Sequence, residues 1–524
     1  MKDRATRIAN LTLEQRRLLE LMLQERAQAR AGEDIPLLPR CSASGQPAVF
    51  PLLPAQRQMW FSEQRRPGLA PLHWMRGVRL HGPLDVVALE ASLHEICARH
   101  EALRTTFDTR DGGEPVQIIG PPRPVPLTRV DLRKLPPAAR EAEADRLLVQ
   151  EARRPFDLSR DVLLRAMLLQ LDDEEHALLL MTHHIVFDGW SANVLFRELR
   201  ALYKALRSGE RASLPELSVQ YVDYAAWQRW RLQEGALQRQ TEYWRKRLAN
   251  APRETDLPTD RPRPSVRTSA GRQQELHIAH PLLGELRALC RRRNVTLYMV
   301  LLASWAALLG RYSGQDDLLI GSPFANRNRA EIEGVIGYFA NTLVLRLDLS
   351  GDPSFTELLG RVRETAVDAF SYGELPFKKI VEGLHRRAFQ VRFTLLDATH
   401  SNPTLDGLRV ERFEIDWGRS TPFLALVAIE EGDKLTARLA YNADLFEANS
   451  VARMLEHFRA LLESVVTDPE RCLSDLSPPT MADRLRLAAR RVRSRLRRVA
   501  QRARKRSLHR AARRVRRVAI QRLG

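Results

Sequence analysis

Two adjacent histidines, an aspartate and a glycine stand within one eleven-residue stretch, Met181-Thr182-His183-His184-Ile185-Val186-Phe187-Asp188-Gly189-Trp190-Ser191. A neutral imidazole suits general-base or hydrogen-bonding work near pH 7. Asp188, four residues beyond His184, is placed either to orient that histidine or to pair with an arginine and brace the loop. Gly189 lets the backbone turn sharply and bring an N–H towards a developing oxyanion at a helix start. A metal site is a poor fit, because neighbouring side chains on extended backbone point to opposite faces and no third ligand is near. One imidazole can instead face a channel while the other packs.

The flanking sequence supplies the elements that position these groups. His176-Ala177-Leu178-Leu179-Leu180-Met181 is an apolar run of strand length, and Val194, Leu195, Glu198, Leu199 and Leu202 repeat at helical spacing. The histidines therefore lie where a buried strand gives way to a helix, the usual ligand-binding edge of α/β proteins. Strands are also expected at 78–80, 116–119, 163–169, 318–322, 342–347 and 437–441. Helices are expected from Pro54, after Asp85, over 282–291, 297–312 and 450–466, and in one long run from about Tyr221 to Ala249. Strands alternating with helices argue for an α/β layered protein. The organisation expected is an N-terminal helical arm and linker (1–45), a lobe carrying the histidines (46–222), a second lobe (223–478) and an Arg-rich tail (479–524). In the arm, Leu13 to Gln28 reads as a helix with Thr12 as its N-cap, and Pro36 to Pro51 reads as linker.

Composition narrows the alternatives. With 44% hydrophobic and 28% charged residues in 524, the chain is of globular type and long enough for two or three cores. It contains no run of eighteen apolar residues and no signal-like start, so a cytoplasmic protein without a membrane span is expected. The formal charge of +19 suggests a nucleic-acid binder until it is located. Residues 481–524 hold seventeen Arg and one Lys against Asp483, which accounts for +17 and leaves a nearly neutral body. Four scattered cysteines offer neither a disulfide framework nor a zinc site. His94 and His100 are six apart, about 600° around a helix, and so fail the zinc-protease geometry. Serine-hydrolase, nucleotide-phosphate and dinucleotide signatures are absent.

The stretch His183-His184-x-x-x-Asp188-Gly189 resembles the active-site motif of condensation domains of nonribosomal peptide synthetases. These belong to a wider superfamily of acyltransferases related to chloramphenicol acetyltransferase. Five further stretches resemble condensation-domain motifs in the same order: Ala55-Gln56-x-x-x-Trp60; Arg99-His100-Glu101-x-Leu103-Arg104-Thr105-x-Phe107; Tyr221-x-Asp223-Tyr224-Ala225-x-Trp227; Ile336-Gly337-Tyr338-Phe339-Ala340-Asn341-Thr342-Leu343; and Tyr441-Asn442-x-Asp444-Leu445-Phe446. The resemblance covers roughly residues 50–470. It implies two chloramphenicol acetyltransferase-like α/β lobes in a V, with a central tunnel reached by carrier-borne phosphopantetheine arms from both sides. It implies amide formation, less readily ester formation, from a carrier-bound thioester, with no permanently bound cofactor and no metal. His184 is then the residue at the chemistry and Gly189 the backbone donor. His183, Asp188 and Arg327 are structural supports, with Arg327 paired to Asp188. Trp190, Ser191, Tyr338 and Asn341 are candidates for the tunnel wall. The partners implied are donor and acceptor carrier proteins.

Three stretches depart from the family pattern: Tyr372-Gly373-Glu374-Leu375-Pro376-Phe377-Lys378, a shortened Leu384 to Val391, and Phe423-Leu424-Ala425. They fall in the second lobe and leave open a free amine or alcohol as acceptor, against the alternative of neutral loop variation. No adenylation or carrier domain follows, so a free-standing enzyme is expected. Leu485, Val492, Leu496, Val499, Ala503, Ala511, Val515 and Val518 suggest an amphipathic, Arg-faced tail suited to an acidic carrier protein or an anionic membrane, with a disordered tail as the alternative. An acyl-CoA-dependent acyltransferase of the same superfamily and a non-catalytic docking role within a synthetase are the competing functions.

Overall fold

The computed structural model describes residues 34–41, 47–65, 72–110, 113–233, 237–252, 254–262, 271–382, 390–397, 405–415 and 423–476. The helix expected over Leu13 to Gln28, most of the shortened 384–391 stretch and the Arg-rich tail lie outside the described residues.

In the first half the elements are β1 (Val49–Pro51), α1 (Pro54–Arg65), β2 (His73–His81), α2 (Val86–Arg99), β3 (Thr105–Thr109), β4 (Pro115–Ile119), β5 (Leu127–Asp131), α3 (Pro137–Arg153), β6 (Leu164–Asp172), β7 (Glu175–His183), α4 (Gly189–Ser208), α5 (Tyr221–Gln233) and α6 (Gln238–Arg247). The second half holds β8 (Gly271–Ile278), α7 (Leu282–Arg293), α8 (Leu297–Ser313), β9 (Asp317–Phe324), α9 (Ala330–Glu333), β10 (Asn341–Asp348), α10 (Phe355–Ser371), α11 (Phe377–Ile380), β11 (Val391–Asp397), β12 (Arg409–Phe413), β13 (Leu424–Glu431), β14 (Lys434–Asn442) and α12 (Ala448–Thr467). The result is a mixed α/β architecture, as expected.

Two larger sheets carry it. The first has five strands in the order β12-β2-β7-β6-β5. Its central strand β7 is buried on both faces, which explains the unbroken apolar run. Leu178 and Leu180 pack towards Leu93, Ile96, Leu195 and Leu199 of α2 and α4. Ala177, Leu179 and Met181 pack on the other side with Leu148 of α3. The second sheet has six strands in the order β10-β9-β11-β13-β14-β8. Val391, Phe393, Leu424, Leu426 and Leu439 share one core with α7, α8, α10 and α12. Helix α8 is buried almost all round, which accounts for its hydrophobicity. Among the described residues no single helix is long and apolar enough to cross a membrane, although α7 and α8, bent by 104°, satisfy length and composition together.

The halves are not separate in strand pairing. β12, far along the chain, pairs antiparallel with β2 and so completes the first sheet. Phe413 packs so closely on Gly77 of β2 that a Cβ there would lie 2.6 Å from its ring. Only a glycine admits that approach.

Several expectations need correction. The long helix from Tyr221 is two helices, α5 and α6. Much of Pro36 to Pro51 is anchored, not loose: Leu38 N–H and the Arg40 guanidinium bind the Asp223 carboxylate at 2.7–2.9 Å, and β1 pairs with β4. Strands β8 and β12 escaped sequence reading because they are polar edge strands, with little apolar alternation to mark them.

Candidate active site

The turn between β7 and α4 is built by Asp188. Its extended backbone (φ −129°) caps α4, and its carboxylate accepts the Ser191 N–H at 2.8 Å. Gly189 is therefore the first helical residue, where a backbone N–H has no intrahelical acceptor. Gly189 is not among the glycines with positive φ, so the junction does not draw on glycine's left-handed freedom. A Cβ on it would meet nothing within 4 Å, so the glycine keeps open the space before the helix start. From 181 to 192 only His184, Gly189 and Trp190 retain exposed surface.

The two histidines are held in opposite tautomers. His183, fully buried, accepts the Ile185 N–H on Nδ1 at 3.0 Å, so its proton is on Nε2. That ring packs edge-on against His73 and Phe156, with centroids 5.9 and 6.2 Å away. His184 is half-buried and its Nδ1 lies 3.0 Å from the Phe187 carbonyl. A carbonyl can only accept, so Nδ1 carries the proton and the Nε2 lone pair is left for a substrate. Burial lowers the pKa of both rings, that of His183 furthest. For His184 the Phe187 carbonyl and the Asp188 charge partly oppose the shift. Both are neutral at pH 7.

Asp188 binds at both ends of its carboxylate. Oδ1 accepts from Ser191 N–H and lies 2.8 Å from Ser191 Oγ and 3.3 Å from Arg327 Nη2. Oδ2 accepts the Phe339 and Ala340 N–H groups at 2.9 and 3.1 Å. The Arg327 pairing thus stands as the resemblance implied. Arg327 is almost fully buried, its Nη1 donates to the Ile332 and Val335 carbonyls at 2.5 Å, and its guanidinium lies 3.8 Å from the Phe339 ring centroid.

Residues 332–340 form a strap whose backbone is fastened at nearly every step. The Trp190 indole N–H donates to the Glu333 carbonyl at 2.9 Å. His100 Nδ1 accepts the Ile336 N–H at 3.2 Å, while its Nε2 donates to the buried Glu198 at 2.8 Å. Ser191 Oγ accepts the Gly337 N–H at 3.1 Å and lies 2.8 Å from the Gly337 carbonyl. The Tyr221 hydroxyl donates to the Tyr338 carbonyl at 2.9 Å. Distant motif stretches thereby meet at one joint.

Some expected roles change. Ser191, a tunnel-wall candidate, is fully buried and works as this joint. Asn341 is a brace, its amide donating to the Gly373 and Leu375 carbonyls and accepting from Thr342 and Phe377. Trp190 is 38% exposed, with its polar end tied to the strap. Tyr338 is half-buried, and burial with the Asp188 charge pushes its hydroxyl up to about 12. The His100–Glu198 pair was not singled out in advance; its only signal was His100 in a family-like stretch, since a buried hydrogen bond between distant side chains leaves no periodicity.

A family model for the condensation domain matches residues 46–487. The chain belongs to the condensation-domain family. It is 43% identical over 434 residues to one component of the linear gramicidin synthase of Brevibacillus parabrevis, covering 81% of this chain and 8% of that protein. It is 41% identical over 478 residues to phosphinothricin tripeptide synthetase PhsC of Streptomyces viridochromogenes, covering 90% of this chain and 43% of the relative. The chain therefore spans less than half the length of these relatives. Among solved structures it is similar to the X-domain from teicoplanin biosynthesis, at TM-score 0.74 and 30% identity over 85% of this chain and all of that one. The first condensation domain of the CDA synthetase shares the fold, at TM-score 0.72 and 22% identity over 83% and 99%.

Proposed function

We propose that this condensation domain joins a carrier-bound acyl or aminoacyl thioester to an amine, forming an amide in nonribosomal peptide assembly. The observation that carries the reading is the neutral His184, its Nε2 lone pair available, beside the unobstructed Gly189 at the start of α4. The amine attacks the thioester carbonyl, a C–N bond forms and the C–S bond breaks. His184 Nε2 positions the amine, takes its proton and returns one to the leaving thiolate. The Gly189 N–H, reinforced by the 20-residue helix behind it, faces the developing oxyanion. A thioester is already activated, so proximity supplies most of the acceleration and a positioned base adds about a hundred- to ten-thousandfold.

The reading includes two lobes, 46–222 and 223–478, with a tunnel between them for phosphopantetheine arms delivered by carrier proteins. The strap, with first-half groups fastening second-half backbone, supports an assembly in which the lobes act as one body. Intact-protein mass spectrometry tests the proposal: a carrier loaded with an acyl group is incubated with amine acceptors, with and without the chain. Chain-dependent amide product is expected. Product from acyl-CoA with no carrier present would favour the CoA-dependent acyltransferase instead. A docking role draws support from one neighbour, an X-domain from teicoplanin biosynthesis solved in complex with OxyB; no product from any carrier would favour that role.

A further inference from the structure

The outer face of α4 carries charge of one sign only. Trp190, Arg197, Arg200, Lys204 and Arg207 fall within an arc of about 100° on this helix, opposite the buried side that holds Leu195, Leu199 and Leu202. The four cations are exposed, and no acidic residue shares the arc. Among the described residues the side chains of Arg197, Arg200 and Lys204 have no ion pair or hydrogen bond. Arg207 donates to the Asp406 carbonyl, a neutral acceptor, at 2.5 Å. Surface arginines elsewhere are handled differently: Arg79 meets Glu141 and Glu175, and Arg133 meets Asp131 and Asp173. Like charges three and four residues apart on a helix repel, so the row works against the helix that bears it. An anionic surface laid along the row relieves that repulsion.

The spacing selects the kind of surface. The four cations step by three, four and three residues, the seam along which one helix meets another, and span about 15 Å. The strip is narrow, because α2, packed beside α4, exposes Glu95. A bilayer or a nucleic-acid duplex presents its charge over a breadth that this strip does not match. The chain's own flanks do not complement it either: residues 1–33 are net basic and residues 481–524 carry +17. At the head of the row Trp190, 38% exposed, adds an apolar anchor whose indole N–H is already tied to the Glu333 carbonyl.

We propose that the outer face of α4 is a docking rail for an acidic helix of a partner protein. The rail begins at Trp190, next to Gly189, so a partner seated on it lies alongside the helix that starts at the proposed chemistry. The inference goes beyond the condensation reading, and its test needs no turnover.

Two stapled helical peptides of identical composition serve as probes. One carries four Glu residues at the three-four-three spacing, and the other has them scattered around the helix. Binding to the full chain is measured by fluorescence anisotropy at low ionic strength. The Arg-rich tail attracts both peptides alike, so their ratio reports the rail. The row peptide is expected to bind about tenfold more tightly, since several exposed charge pairs, each weak alone, add to that size. The ratio is expected to fall to about one in the triple variant Arg197→Gln, Arg200→Gln, Lys204→Gln, with a melting temperature no lower than that of the wild type. The triple variant with Glu at the same positions is expected to prefer a Lys-row peptide over its scattered form. Phosphatidylserine vesicles and a DNA duplex are expected to bind the wild type and the triple Gln variant alike. No preference by the wild type, or a preference that survives in the triple Gln variant, overturns the proposal. Loss of vesicle or duplex binding in that variant, without peptide discrimination, overturns it in favour of those surfaces. Discrimination without turnover would leave the rail standing and remove the condensation reading; turnover without discrimination would do the reverse.

Discussion

Asp188 Oδ2 and the Phe339 N–H lie 2.9 Å apart although 151 positions separate them in the chain. The carboxylate four residues beyond His184 is therefore a structural fastening between the two halves. Its Oδ1 also faces Arg327, and both side chains are almost fully buried.

Removing that carboxylate strands a buried guanidinium and the backbone N–H groups of Ser191, Phe339 and Ala340. Asp188→Ala is expected to cost about 3–5 kcal/mol, the usual penalty for breaking a buried pair from one side. Urea unfolding of the wild-type and variant proteins measures this directly. A loss below about 1 kcal/mol would mean that the strap is held by its other bonds.

The two glycines of the region should respond oppositely to the same substitution. A Cβ on Gly337 would lie 2.2 Å from the Tyr221 ring, so Gly337→Ala is expected to destabilise by about 1–3 kcal/mol through overpacking. A Cβ on Gly189 meets nothing, so Gly189→Ala is expected to keep stability within about 1 kcal/mol while slowing product formation. Melting temperatures and turnover of the two variants, compared side by side, check both statements.

Much of this region was legible from the sequence. The apolar run of β7 marked a buried strand, and Asp188 with Arg327 was anticipated as a pair. The inequality of the histidines was also anticipated, but not its cause. Opposite tautomers follow from the backbone groups of Ile185 and Phe187, which no side-chain pattern encodes. Ser191 was misplaced because a hydroxyl at a helix start reads equally well as a channel wall or a joint. β12 was missed because Arg-Val-Glu-Arg-Phe has the composition of a surface loop, and only its pairing with β2 makes it a strand.

Acid should weaken the fold earlier than carboxylate titration would. Burial is the leading cause of lowered pKa at His100, His176, His183 and His184. A histidine whose folded pKa is depressed takes up its proton more readily when unfolded, so stability is complete above about pH 6.5 and falls as pH drops below it. Each such group contributes a slope of up to about 1.4 kcal/mol per pH unit until its folded pKa is reached. Urea unfolding between pH 7.5 and about 5 reads the summed slope, and a flat profile would contradict the protonation states assigned to these rings. Activity should likewise hold through neutrality and decline only on the acid side.

The central claim is that His184 Nε2 acts on the amine. The most direct measurement is single-turnover amide formation by His184→Ala, followed by intact-protein mass spectrometry of the loaded carrier. Because the ring is half-buried and its Nδ1 is spent on the Phe187 carbonyl within the same turn, the variant should fold normally. Loss of at least about a hundredfold in rate is expected, the lower bound for a positioned base, with an unchanged melting temperature. Near-normal product formation by a folded His184→Ala would contradict the claim.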